Sequence, residues 1–172
     1  MMATTFTLIQ PAVVVASGGQ SSVTFSAIPA TYTDLVIKCS VRTNSTGAGY
    51  RVVANFNGST SNFSGRYLYG GGSGTPGSGT TTTEILGFVD GTTETANTFA
   101  STDIYIPNYA SSTYKSVSTD TVMENNATQA YSAFVAGLWS NTAAITSINL
   151  APETGGLFVQ YSSFYLYGVS NA

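Results

Sequence analysis

Apolar and polar residues alternate along much of the chain with the period of two that is typical of half-buried β-strands. Leu35, Ile37, Cys39 and Val41 are apolar and alternate with Val36, Lys38, Ser40 and Arg42, so both charged residues fall on the other side of the strand. Similar alternation occurs in five further segments, which are 22–28, 50–56, 114–124, 129–139 and 163–169. No segment has the period of an amphipathic helix, so the pattern predicts an all-β protein.

The segment 129–139 departs from simple alternation. Tyr131, Val135 and Trp139 share one side of the predicted strand, while Phe134 and Leu138 lie on the other. Apolar side chains on both sides predict a strand that is covered on both faces.

Short turn signals separate the predicted strands. Asn57-Gly58 is typical of a tight hairpin, and Pro107 ends a strand because proline cannot donate to the ladder. Nine or ten strands at this spacing indicate a two-sheet antiparallel sandwich. A jelly roll is the preferred topology, and an immunoglobulin-like sandwich is the alternative.

The chain of 172 residues has the length of one domain. We assign residues 22–172 to a single β-sandwich and treat residues 1–21 as an N-terminal strand or arm. The arm is apolar and contains Pro11, so it is either a bent first strand on the core or a segment that adds a strand to another chain. Residues 70–83, rich in Gly, Ser and Thr, are expected to form an exposed loop.

Composition excludes several classes of function. Only 8% of the residues are charged, the net charge is −3, and there is no histidine, which argues against histidine-dependent catalysis and histidine-ligated zinc. Five scattered basic residues predict no nucleic-acid partner. The single Cys39 cannot form an internal disulfide, and no apolar run is long enough to predict a membrane span. The start of the chain lacks the features of a secretory signal, so we expect synthesis in a host cytoplasm without export.

Candidate chemistry is weak. Asp103 and Asp120 lie inside predicted strands and are the best carboxylate pair for glycoside hydrolysis, but surface ion pairing explains them more simply. The loop 90–94 contains Asp90 and Glu94 and offers oxygens to calcium without the spacing of a dedicated calcium loop. We therefore expect no catalytic residue, no metal site and no cofactor.

Tyrosines supply the candidate glycan-binding residues. Sugar recognition uses aromatic faces beside planar polar groups, and Tyr67, Tyr69, Tyr105 and Tyr109 are the candidates for such a platform. Tyrosine is also a common strand residue whose ring packs in a core. Packing and ligand binding both remain open for these four residues.

Seven short blocks of sequence occur in a recognisable order. They are Asn55–Gly58, Asn62–Gly70, Ile104–Tyr109, Glu124–Thr128, Ala136–Ser140, Ala144–Ile148 and Ser163–Gly168. In that order they resemble a family of small virion proteins of tailed bacteriophages, notably phages of marine bacteria and cyanobacteria. The resemblance covers residues 23–168. It implies a jelly-roll protein on the outer surface of the particle and carries no catalytic motif.

Two functions follow as expectations. The first is a non-enzymatic capsid decoration (cement) protein, bound as a homo-oligomer such as a trimer to the major capsid protein or other virion proteins. The alternative is a receptor-binding module of a tail or capsid fibre that recognises host glycans. The scarcity of charge favours permanent contacts with a partner. The expected partner-contact residues are Phe6, Leu8, Ile9, Thr75, Pro76, Asn108 and Tyr109.

Overall fold

The computed structural model describes residues 5–46, 50–71, 74–126 and 130–170, with the backbone alone described for residues 84–86. The described chain is all β and forms two antiparallel sheets, as the sequence predicts. Its thirteen strands are β1 (Phe6–Leu8), β2 (Val13–Val14), β3 (Val23–Phe25), β4 (Asp34–Val41), β5 (Tyr50–Phe56), β6 (Phe63–Gly71), β7 (Gly77–Thr81), β8 (Glu84–Val89), β9 (Ala100–Ile106), β10 (Lys115–Met123), β11 (Tyr131–Trp139), β12 (Ile148–Pro152) and β13 (Ser163–Val169).

Nine strands form the larger sheet and four form the smaller one. The order of the large sheet is β1-β13-β4-β9-β10-β11-β6-β7, with β2 also paired to β13. The order of the small sheet is β3-β12-β5-β8. Within the described residues no helix is long and apolar enough to cross a membrane.

The core lies between the two sheets and is built from the alternating residues that the sequence identifies. Leu35, Ile37 and Val41 of β4 face inward and are almost fully buried. Trp139 stacks on Phe63, with ring centroids 6.1 Å apart, and meets Phe56 of the small sheet edge-on at 5.7 Å. Large aromatic contacts of this kind join the two layers and fix their spacing.

The N-terminal segment belongs to the sheet of its own chain. β1 and β2 pair with opposite ends of β13, and the chain bends at Gln10 between them. This arrangement agrees with the first of the two interpretations, a bent first strand. Ile9 packs against the core, whereas Phe6 and Leu8 point outward.

The expected loop at residues 70–83 is wrong in large part. β6 continues to Gly71, and residues 77–81 form β7, which pairs with β6 in register. Low burial of its own side chains does not prevent β7 from forming, because rings of the neighbouring strand supply the missing packing. Tyr67 and Tyr69 lie over the Cα atoms of Gly79 and Gly77, where a Cβ would collide with them.

The prediction that 129–139 is covered on both faces is also wrong. Val135 and Trp139 are buried on the inner face, but Phe134 on the opposite face is 63% exposed. The reason is the position of β11 within the large sheet, because no described strand forms a second layer over one face of that sheet.

Candidate interaction surface

The outer face of the nine-stranded sheet, which is the face turned away from the small sheet, carries most of the exposed apolar side chains. In the described part of the chain nine large hydrophobic residues remain exposed. The pairing registers place seven of these on the outer face, and we call this set the exposed apolar face: Phe6, Leu8, Val14, Leu68, Tyr105, Val122 and Phe134. The other two, Tyr114 and Tyr161, lie in connections between strands.

Strand register brings two residues of this face together near its β7 edge. Leu68 of β6 lies directly opposite Phe134 of β11, which in turn lies opposite Asp120 of β10. Leu68 and Phe134 are each 63% exposed. Together with Ser78 and Thr80 of β7 they line a shallow groove of about 590 Å³. The small hydroxyl side chains of β7 leave this groove open towards the edge of the sheet.

The outer face of the small sheet is different in character. Its strands present Arg51, Asn149 and Thr24. Arg51 forms an ion pair with Glu153 at 2.7 Å, and the Asn149 amide donates to the Thr24 hydroxyl at 2.7 Å. A polar network of this kind satisfies itself and is typical of a face that contacts water.

The outer face of the large sheet carries five charged residues whose charges sum to −1: Asp34, Lys38, Arg66, Asp103 and Asp120. Lys38 of β4 lies opposite Asp103 of β9, and their side chains form an ion pair at 2.5 Å. Asp34 accepts hydrogen bonds from the Tyr105 hydroxyl and the Asn108 backbone amide, both at 2.8 Å. The hydrogen bond to Asp34 raises the pKa of Tyr105, with some help from burial. These contacts leave little net charge to repel an apolar partner.

The structure separates the expected contact residues. Phe6 and Leu8 are exposed at one edge of the sheet, and Pro76 lies at the opposite edge, beside Leu68. Thr75 is exposed in the turn before β7, and Asn108 is exposed with φ +50° at the end of β9.

Tyr109 is wrongly predicted as a contact residue. Its side chain is fully buried, and its hydroxyl donates to the Pro29 carbonyl. The turn at Pro107 and Asn108 directs the ring under the sheet, where apolar area is removed from water.

The four tyrosines expected to form a glycan platform do not lie together. Tyr67 and Tyr69 are half-buried on the inner face of β6, where they pack with Phe88. Tyr105 is exposed on the outer face, and Tyr109 is buried. The structure therefore provides no shared surface for this set.

The candidate catalytic carboxylates lie on an open surface, and the candidate calcium loop is occupied by a side chain of this chain. Asp103 and Asp120 lie opposite each other on the open outer face, with Asp103 bound to Lys38. The loop after β8 is filled by the Arg42 guanidinium, which donates to backbone carbonyls of Gly91, Glu94, Thr95 and Thr98. Arg42 thus takes the loop oxygens that a calcium ion would need. In the described residues no group of three acidic or cysteine side chains converges.

Sequence reasoning missed Leu68, Val122 and Phe134 as surface residues. Each is next to a residue that points towards the core, namely Tyr67, Met123 and Val135. Because neighbouring residues of a strand point to opposite faces, Leu68, Val122 and Phe134 point outward. The sequence signal that could have identified these surface residues is an apolar residue on the otherwise polar side of an alternating strand.

Comparison with known proteins adds no identification. No protein-family model, no curated protein and no solved structure matches the chain. The resemblance to phage virion proteins stays a prediction, and the surface itself is the basis for the functional argument.

Proposed function

We propose that this protein is a non-enzymatic virion subunit, a capsid decoration (cement) protein that binds the outer surface of a tailed-phage head as a homo-oligomer. The observation that carries the proposal is the gathering of seven exposed hydrophobic residues on one face of the nine-stranded sheet. Leu68 and Phe134 lie next to each other near the β7 edge, and Phe6, Leu8 and Val14 lie at the opposite edge. Exposed apolar side chains gathered on one face are typical of a protein–protein contact. The partner is the major capsid protein or another virion protein.

The charge distribution supports the same function. Contact surfaces are depleted in Lys, Glu and Asp and retain aromatic residues. All five basic side chains of this chain have an anionic or carbonyl acceptor within the described structure, including Lys115, which donates to the Ser111 and Thr113 carbonyls. Such a surface favours apolar docking in many copies, where modest contacts add up along a lattice.

The strand order also supports a jelly roll over an immunoglobulin-like sandwich. From β3 to β6 the chain crosses between the sheets at every strand, and β8 and β12 return to the small sheet. Repeated crossing between two sheets is expected of a jelly roll.

The glycan-binding alternative has less support. Among its four tyrosines, Tyr67 and Tyr69 are half-buried and Tyr109 is fully buried, which leaves Tyr105. Copy number distinguishes the two functions, because decoration requires many copies on each head and a fibre tip requires few.

Binding to phage heads that lack the protein tests the proposal. Replacing Leu68 and Phe134 by Ser removes apolar area worth about 1.5–3 kcal/mol for each side chain that becomes buried on docking. The double variant L68S/F134S should bind heads at least about tenfold more weakly than wild type, measured by co-sedimentation. The matched control is Tyr114→Ser, which removes an aromatic side chain that is 59% exposed away from this face. Equal binding by both variants and wild type, or no binding by wild type, would refute the proposal.

A further inference from the structure

The edges of the two sheets differ in how they prevent pairing with other strands. In the small sheet, β3 has only three residues and β8 is bulged at its pairing with β5, beside Gly87. Short and bulged edges are common protections against strand addition. The small sheet is therefore closed to further strands at both ends.

In the large sheet β1 is as short as β3, with three residues, but β7 at the opposite edge is longer and has no bulge. Residues 74–83, which contain β7, have no charged residue, and neither have residues 5–15, which contain β1 and β2. β7 has five residues in continuous register with β6 and no proline within the strand. Charged side chains on an edge strand are the usual defence against pairing, and here they are absent from the sequence of both edges.

Strand direction makes these two edges compatible with each other. All pairs along the eight-strand path of the large sheet are antiparallel. Because the path has an even number of strands, β1 and β7 run in opposite directions. A second copy placed beside β7 with its outer face on the same side would offer β1 in the antiparallel direction, which continues the ladder.

Side-chain size is also complementary between the two edges. β7 presents small Ser78 and Thr80 on the outer face, beside the open groove at Leu68 and Phe134. β1 presents Phe6 and Leu8 on the same face, 52% and 45% exposed. Large apolar side chains on an added strand would pack beside Ser78 and Thr80 at the outer rim of this groove. They would lie about 10 Å, two strand spacings, from Leu68, which leaves Leu68 and Phe134 open to a capsid.

We propose that β7 accepts the β1 edge of a second copy of this chain, so that subunits join head to tail through a continuous antiparallel sheet. Such a contact is heterologous and forms a closed ring when the rotation between copies closes. The expected trimer is one such ring. The inference rests on the proposed function for the homo-oligomer and names the contact that would form it. Self-association is measured without phage heads, and head docking is measured separately with L68S/F134S, so failure of this contact is distinguishable from failure of docking.

Two variants test the contact, and in each of them a charge blocks one of the two sheet edges. Thr80→Lys places a charge on the acceptor edge β7, and the double variant F6K/L8K places charges on the donor edge β1. Each variant alone should be monomeric by analytical ultracentrifugation at millimolar concentration, while wild type self-associates. An equimolar mixture should form a one-to-one dimer, because each chain retains the edge that the other has lost.

A matched control places lysine in the middle of the same face. Ser101 is exposed on β9, and Ser101→Lys should assemble like wild type. Circular dichroism establishes that each variant is folded. A monomeric wild type, a Thr80→Lys chain that still self-associates, or a mixture that stays monomeric would overturn the proposal. Association of F6K/L8K alone would indicate instead a symmetric contact between two β7 strands and would also overturn it.

Discussion

Arg42 and Asp90 show how single buried polar residues hold a loop in place. The Arg42 guanidinium organises residues 91–98 through carbonyl acceptors, and the Asp90 Oδ1 atom accepts from the Asn125 amide at 3.2 Å. The Asp90 Oδ2 atom is buried and has no hydrogen-bond partner among the residues that the structure describes. Burial raises the pKa of Asp90 above its usual value of 3.8, and the hydrogen bond from Asn125 and the charge of Arg42 oppose this shift.

The raised pKa of Asp90 predicts a pH dependence of stability. Between pH 3.8 and the raised value the folded chain keeps a proton that the unfolded chain has released, so the free energy of unfolding falls as the pH rises through this window. Asp90→Asn should lack this fall. Urea unfolding at a series of pH values, followed by the fluorescence of the buried Trp139, measures it. Asp120→Asn, which removes an exposed carboxylate, is the control, and parallel curves for wild type and Asp90→Asn would contradict the prediction.

The surroundings of Cys39 make its thiol unreactive. Cys39 faces inward on β4 and is free and buried. Burial raises the pKa of its thiol, with a smaller contribution from the charge of Asp103. Since the thiolate is the reactive form, Cys39 acts in the folded chain as a small apolar residue.

At the scale of elements, β8 depends on one glycine for its position. Gly87 has φ +136°, and a Cβ there would lie 2.6 Å from the Cβ of Thr121 on β10. The Thr121 hydroxyl also donates to the Phe88 carbonyl at 3.2 Å. The bulge at Gly87 therefore brings an edge strand of the small sheet against the large sheet, where the two layers meet.

Gly87→Ala should destabilise the fold by about 2–4 kcal/mol, since it combines backbone strain with overpacking against Thr121. Gly58→Ala is the matched control, because Gly58 also has positive φ, at +72°, but has open space around its Cα. The free energy of unfolding of Gly58→Ala should fall by only about 1 kcal/mol, which is the cost of placing alanine in the left-handed backbone conformation. Urea denaturation of both variants gives the comparison, and equal losses would show that close approach to Thr121 adds nothing.

At the scale of the whole molecule, the two faces of the sandwich have opposite characters. The small sheet presents polar networks such as Arg51–Glu153, whereas the large sheet presents the exposed apolar face. The molecule therefore has one side suited to water and one suited to a partner. This difference between the two faces supports the proposed docking through the large sheet.

Apolar docking predicts a weak dependence on salt. Binding to phage heads should change less than about twofold between roughly 0.05 M and 0.5 M NaCl, because screening acts on charges and the five charged side chains of the docking face sum to −1. Co-sedimentation at the two salt concentrations measures this. Binding that weakens tenfold or more at the higher concentration would indicate an electrostatic contact instead.

Sequence reasoning predicted the strands best where their side chains alternate around a core. The inward residues of β4, from Leu35 to Val41, are buried as predicted, and the two-sheet antiparallel class is confirmed. Prediction failed at β7, because the packing of Gly77 and Gly79 comes from tyrosine rings on a neighbouring strand. It failed at Tyr109 because a tyrosine beside a turn resembles a surface residue until the path of the chain is known.

The sequence by itself determined that this protein is built of strands, that it has few charges and that each strand has an inward side. Those properties depend on local alternation and composition, which act through neighbouring residues. Only the tertiary structure decided which outward sides remain open, because that depends on which strands become neighbours and on which sheet has no second layer. Phe134 of β11 and Leu68 of β6 lie opposite each other, although they are 66 residues apart in the sequence. The exposed apolar face is therefore a property of strand order and register.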